Sequence, residues 1–429
     1  AITDTASGIA KIYDYDTVGR LISARTENGT NDVFRTHYTY DGLSRLDTLK
    51  YVYSTAAGTH YTHEYSATYG EDSRVNGIFS ITPTFDGLGR QSSRVLKNGS
   101  GAQVEKEAYT FTAGAGGANA TTTLIDSVTY YGAGTTGTQY SYEYDKSGNL
   151  TKIKKGTATL HTYTYDSLGQ LTSWYDAATD KTVRYGYYKG GNLKSIYDGE
   201  DTVSFVYNNG DGIADRLMVY DGQLLSYDDI GNPLNFRDGI SMTWKNGRQL
   251  ATLTNGQTSA SYDYNESGIR NKKTVNGITT TYQLDGSKIV SENRNGIVQS
   301  YFYDENGSVL GITYGGENYY FRKNFRNDVL AILNASGEVV VEYSYDPWGN
   351  ILAVTGTLAS TLGADNPFRY RGYYYDNESG FYYLQSRYYD PVTGRFLNAD
   401  DTAYLGVTET TSGYNLFSYC ENNVVNYCD

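Results

Sequence analysis

The 429 residues carry 47 tyrosines against 13 phenylalanines, 48 glycines and 5 prolines, with a formal net charge of −13. So many aromatics exclude a disordered chain, so little proline excludes a collagen-like one, and so acidic a chain excludes a nucleic-acid-binding face, which needs clustered lysine and arginine. Tyrosine, threonine and valine suit pleated strands, while glycine with asparagine and aspartate suits tight turns, so the composition predicts an all-β protein of short hairpins.

The first residues, "AITDTASGIAKIYDYDTVGRL", show no signal-peptide pattern and read as the start of a fragment whose N-terminal context was removed. A hairpin unit then begins with "YDYDTVGRL" (13–21) and returns as "YTYDGLSRL" (38–46) and "TFDGLGRQ" (84–91). In Tyr-x-Tyr both rings share one strand face, the aspartate opens a turn that its own carboxylate braces, and the glycine three positions on takes the left-handed conformation. Glycine-rich "TAGAGGANA" (112–120) lacks the Lys-Ser/Thr of a phosphate loop and reads as a loop between strands. The unit resumes as "YEYDKSGNL" (142–150), "YTYDSLGQL" (163–171) and "YGYYKGGNL" (185–193). Between the first two of these, the basic run Lys152-Ile153-Lys154-Lys155 reads as a solvated strand end. Degenerate copies follow as "SYDDIGNPL" (226–234), "YDYNESGIR" (262–270), "YFYDENGSVL" (301–310) and "YSYDPWGNI" (343–351), then a short helical turn within 358–368. Each hairpin is too small to stand alone, so the copies stack and share tyrosine contacts.

His60 and His63, with the separate His37 and His161, lack a third ligand of metal-site spacing, and the seven residues between Cys420 and Cys428 fit no zinc pattern. No metal or cofactor is expected. No run of 18 apolar residues predicts a membrane-spanning helix.

Ten such units ending in "NPFRYRGYYYDNESGFYYLQSRYYDPVTGRFLNADD" (366–401) and "YNLFSYCENNVVNYCD" (414–429) resemble the YD repeats and repeat-associated core domain of the RHS family. That family includes bacterial polymorphic toxins, the B and C components of Tc toxin complexes, and teneurins. The resemblance spans essentially the whole chain. It implies a spiralling antiparallel sheet forming part of a hollow shell, with repeats over 1–335 and an inward-coiling core domain over 336–429. In the family this core is often an aspartic protease that cuts its own chain and frees a C-terminal toxin. Tyr388-Tyr389-Asp390-Pro391 and Gly394-Arg395-Phe396-Leu397 match the motif, and Asp400 stands where the family carries an aspartate implicated in cleavage. Asp401 and Val424 replace usual prolines, and Asp429 matches the first residue of the cleavage motif, so the scissile bond and toxin are expected beyond this chain.

Aspartic proteolysis needs two carboxylates sharing a proton. Asp400 and Asp401, if extended, point to opposite faces, so the second acid is sought among Asp390, Glu409 and Glu421. Arg395 is expected to orient a carboxylate, and Asp400 to be enclosed, with its pKa raised by desolvation. The leading function is encapsulation of a C-terminal toxic effector with release by autoproteolysis, in a secreted or cell-surface bacterial protein. Its partners are the toxin domain of the same polypeptide and N-terminal shell or delivery components. The alternative is a teneurin-like or wall-associated adhesin whose tyrosines stack on glycans.

Overall fold

The computed structural model describes residues 2–4, 9–28, 32–55, 58–67, 73–75, 78–114, 120–207, 215–304, 306–400 and 414–427. Nearly all of it is antiparallel strand. A 20-stranded sheet runs from Ile2 to Leu224, a 14-stranded sheet from Ser226 to Thr355, and a 4-stranded sheet from Tyr374 to Phe396. Each strand pairs with its chain neighbour, as in Tyr142↔Ile153, Tyr163↔Trp174 and Tyr185↔Ile196. The expected helical turn is present as Ala359–Gly363.

The hairpin unit has the anticipated physics. The ring of the first tyrosine (Tyr142, Tyr163, Tyr185, Tyr262) is buried, as is the leucine that opens the returning strand (Leu150, Leu171, Leu193). The second tyrosine explains the excess of tyrosine over phenylalanine. Its hydroxyl donates to a strand carbonyl one unit earlier: Tyr165 to Leu150 (2.7 Å), Tyr187 to Leu171 (2.7 Å), Tyr345 to Val329 (2.9 Å). Each such bond fixes the stacking distance between units and is worth about 1 kcal/mol net.

The first sheet winds back over the second. Tyr51 Oη donates to Asp285 Oδ2 (2.5 Å), Tyr320 Oη to the Ile78 carbonyl (2.7 Å) and Tyr130 Oη to the Lys323 carbonyl (2.8 Å). Two apolar clusters fill this overlap, one around Phe34, Tyr51, Tyr53 and Val290, the other around Phe79, Leu96, Phe302 and Tyr320. His63 lies in the same overlap against Ser300 (3.3 Å), and burial holds its imidazole down at about 4. The His60 side chain, Cys428 and residues 115–119 of the glycine-rich loop lie outside the described residues. Lys152 and Lys154 both pair with Glu143 on the neighbouring strand.

Because an antiparallel meander reverses at every strand, every second turn falls on the same edge. Counting strands from the pairings, turns 16–20, 41–45, 86–90, 145–149, 166–170, 188–192, 228–232, 265–269, 304–308, 324–328 and 346–350 share one edge. The chain after Thr355 returns across it.

Candidate functional site

Every edge turn but 188–192, which opens on Tyr188, is braced by the aspartate or asparagine that opens it. Asp145 Oδ1 accepts the N–H groups of Ser147 (2.8 Å) and Asn149 (2.9 Å), and Oδ2 accepts Asn149 Nδ2 (3.0 Å). In turns 16–20, 41–45 and 86–90 an arginine Nε replaces the amide, at 2.6 to 2.7 Å. Backbone N–H donation by Arg20 and Arg45 holds Asp16 and Asp41 below the usual carboxylate range. Polarity is inverted at 324–328, where Asn324 Nδ2 donates to Asp328 Oδ2 (2.7 Å). In these turns first and fifth residues form one donor–acceptor pair that holds the fifth side chain at the edge, whereas Asn192 is held by its Nδ2 donating to Asp215 Oδ1 (2.6 Å).

The core reads those fifth positions. Asn423 Nδ2 donates to Asn149 Oδ1 (3.1 Å), Asn422 Nδ2 to Gln170 Oε1 (3.0 Å), and Asn415 Nδ2 to Asn192 Oδ1 (2.8 Å). Further along, Arg371 N–H donates to Asp328 Oδ1 (3.0 Å) and Asn350 Nδ2 donates to the Pro391 carbonyl (2.9 Å). The last turn is a socket. Tyr370, Tyr389 and Tyr382 hydroxyls donate to the carbonyls of Pro347 (2.9 Å), Trp348 (2.7 Å) and Gly349 (2.8 Å). Gly394 is required here, since a Cβ would sit 2.7 Å from the Trp348 ring at a φ of +66°. Burial of this turn pushes the Asp346 carboxyl up to about 6 against its hydrogen bonds.

Two arginine–aspartate pairs weld core to shell. Arg270, with 0% side-chain exposure, grips Asp376 at 2.6 and 2.9 Å among the rings of Tyr262, Tyr282, Tyr374, Tyr383 and Tyr388. Lys273 reaches the same carboxylate at 2.9 Å and Glu378 at 3.0 Å. Burial alone would raise Asp376, but Arg270 and Lys273 outweigh it and hold the carboxyl below the usual range. Arg237 binds Asp390 at 2.6 and 2.8 Å, and Thr393 Oγ1 adds a third bond at 2.8 Å.

These contacts correct three sequence expectations. Asp390 is fully buried with both carboxylate oxygens bound by Arg237, so it joins core to shell and is not available as the second acid. Arg395 orients no carboxylate among the described residues. Its guanidinium faces the shell and donates to Asn192 Oδ1 (2.8 Å), Tyr207 Oη (3.3 Å) and the Asp215 carbonyl (2.6 Å). Asp400 is not enclosed: 30% of its side chain is exposed, and Arg387 Nη2 pairs with Oδ2 at 2.8 Å. The arginine beside the candidate aspartate is therefore Arg387. Arg248 Nη1 holds the backbone carbonyls of Ala399 and Asp400, the latter at 2.7 Å. Asp401, Glu409 and Asp429 lie outside the described residues, and Glu421 sits half-buried in the turn Cys420–Asn422. Among the described residues no three histidine, cysteine or acidic side chains are grouped to hold a metal ion.

Sequence reasoning passed over Arg270, although a signal was present. "YDYNESGIR" places arginine where other units place the buried leucine, and the register Tyr264↔Arg270 repeats Tyr144↔Leu150.

With this geometry in hand, comparison with known proteins gives a family and a fold. The family model described as Teneurin YD-shell matches residues 119–425. The tRNA3(Ser)-specific nuclease WapA of Bacillus spizizenii is 36% identical over 252 residues, covering 57% of this chain and 10% of the relative. Teneurin-1 of Gallus gallus is 25% identical over 318 residues, covering 67% of this chain and 10% of the relative. Double-stranded DNA deaminase toxin A of Burkholderia cenocepacia is 24% identical over 321 residues, with 66% and 22% covered. This chain therefore spans between a tenth and about a fifth of these relatives' length. The crystal structure of TcdB2-TccC3-Cdc42 superposes on 99% of this chain and 26% of its own, with a TM-score of 0.62 at 16% identity, which is a shared fold.

Proposed function

Since this chain belongs to the teneurin YD-shell family, we propose that it is a shell segment bearing its own closure: repeats over 1–335 form wall, and 336–429 form a plug that shuts one edge. The observation that carries this reading is the core's grip on successive edge turns, from Asn149 through Gln170 and Asn192 to Asp328. A plug held by separate turns closes an edge without adding a strand to the sheet.

The cargo is a toxic effector that continues the same polypeptide past Asp429, in a protein exported or displayed by a bacterium. Toxin names among the relatives support this, as does the nuclease WapA at 36% identity. The core releases the cargo by cutting its own chain, with Asp400 as the reacting acid, Arg387 as its orienting cation, and Glu409 or Glu421 as second acid. One water is consumed, its hydroxyl joining the carbonyl carbon and its proton the leaving amine, so no cofactor enters. The adhesin alternative needs an exposed tyrosine stripe, whereas Tyr142, Tyr163, Tyr185, Tyr262, Tyr301 and Tyr343 are buried.

The test is the gene-length polypeptide. A denaturing gel should show it cut near residue 429, with the fragments still together on a sizing column and the cargo resistant to added protease. An intact chain removes self-cleavage, and a cargo digested as fast as the free domain removes encapsulation.

A further inference from the structure

Arg371 has a side chain 3% exposed and a left-handed backbone (φ 57°), which a non-glycine residue adopts only under constraint. Its nearest carboxylate oxygen, Asp328 Oδ1, is 3.7 Å from Nε, unlike the tight pairs of Arg270 and Arg237. The guanidinium is spent on backbone carbonyls instead: Nη1 on Arg326 (3.3 Å), and Nη2 on Val424 and on Tyr427 (3.0 Å). Arg326 adds a second arm, donating Nη1 to the Val425 carbonyl at 3.0 Å. Of the four carbonyls from 424 to 427, three end on these two arginines.

Arginine buried on neutral carbonyls gains less than arginine on a carboxylate. Stability alone therefore does not explain why this residue type stands there. What it achieves is to fix the path of one short backbone stretch. The same side chain helps line a cavity of about 620 Å³ whose wall also contains Arg387, the partner of Asp400. Arg371 and Arg387 thus border one cavity, while the clamped segment 424–427 lies outside its wall.

We propose that Arg371, assisted by Arg326, is a positioning residue: a carbonyl clamp that fixes residues 424–427, the segment that leads to the cleavage junction. The inference rests on the reading that the core cuts its own chain. The clamp touches neither the acid nor the scissile bond. It removes the conformational freedom of the segment that leads to that bond, the kind of pre-organisation whose loss slows reactions by roughly 10–100-fold.

Two measurements test it. In the 429-residue chain, hydrogen exchange of amides 423–427 should accelerate about tenfold in Arg371→Met, with amides of Phe381–Tyr383 unchanged and Arg371→Lys largely restoring protection. Arg326→Met, which removes one arm, is the gentler variant and should show a smaller acceleration at the same amides. In the gene-length polypeptide, Arg371→Met should slow self-cleavage roughly 10–100-fold with lysine rescuing most of the rate. Unchanged exchange at 423–427 in both methionine variants overturns the clamp, and full-rate cleavage from a loosened segment overturns its positioning role. A wild-type chain that never cuts itself removes that role too, while the exchange data then still decide whether the arginines hold the segment.

Discussion

Replacing Asp346 by asparagine should reverse its effect on stability between acid and alkaline pH. Burial raises this carboxyl from 3.8 to about 6 in the folded protein. A carboxyl whose folded pKa is raised favours the folded state when protonated, and that advantage disappears as pH rises through the folded value. Moving from 3.8 to about 6 corresponds to about 3 kcal/mol, of which roughly 2–3 kcal/mol develops between pH 4 and pH 8. Asparagine fits such a turn, because Asn324 and Asn334 brace the turns they open through the same Oδ1 contacts. At position 346, however, its amide would face Asn350 Nδ2 donor to donor. Asn350 must then rotate and give up its bond to the Pro391 carbonyl, a loss of about 1 kcal/mol. The variant should therefore be about 1–2 kcal/mol more stable than wild type at pH 8 and about 1 kcal/mol less stable at pH 4. With an unfolding entropy of roughly 2.1 cal/mol/K per residue, 429 residues give about 1 °C per kcal/mol. Scanning calorimetry of both proteins across this pH range should show the melting-temperature difference change sign, with a swing of about 2–3 °C. A difference that stays constant with pH would refute the buried, proton-favouring environment assigned to this turn.

Asp400→Asn should abolish self-cleavage in the gene-length polypeptide while leaving melting unchanged, whereas Asp401→Asn should leave most of the cut band on a denaturing gel. Arg270→Met strands Asp376 with Lys273 alone and should cost about 3–5 kcal/mol in denaturant unfolding. Arg270→Leu combined with Asp376→Asn should recover much of that loss, because leucine is what other units place at this position. Gly394→Ala drives a Cβ into the Trp348 ring from a left-handed backbone and should cost about 1–3 kcal/mol. Tryptophan fluorescence should report a loosened socket in that variant.

The wall was legible in the sequence because its physics is local. Tyr-x-Tyr-Asp-x-x-Gly specifies one ring for the core, one hydroxyl for the neighbouring unit, one brace and one left-handed residue within seven positions, and register follows from turn chemistry. The candidate site was legible only as a motif. Asp400 was picked out by the motif alone, and the arginine expected beside it was Arg395, five residues before it in the chain, whereas Arg387 is the one that pairs with it. Pairings such as Arg237 with Asp390, 153 residues apart, depend on how the core crosses the edge. No spacing rule reports that. Arg270 is intermediate: its departure from the leucine position was visible in one line of sequence, while its partner Asp376, 106 residues away, was not.

The placement on one edge of the turns that the plug grips also limits how such a wall changes length. Inserting or deleting a whole hairpin leaves every later turn on its original side, so the plug meets the same fifth-position side chains in the same order. Inserting a single strand flips the parity of everything downstream. Placed between turn 188–192 and the plug, it would turn Asn149, Gln170 and Asn192 away from Asn423, Asn422 and Asn415, however well each hairpin folded. Growth of the wall is thus restricted to even steps wherever the plug is kept, and a graft that respects those steps should lengthen the chamber without redesigning its closure.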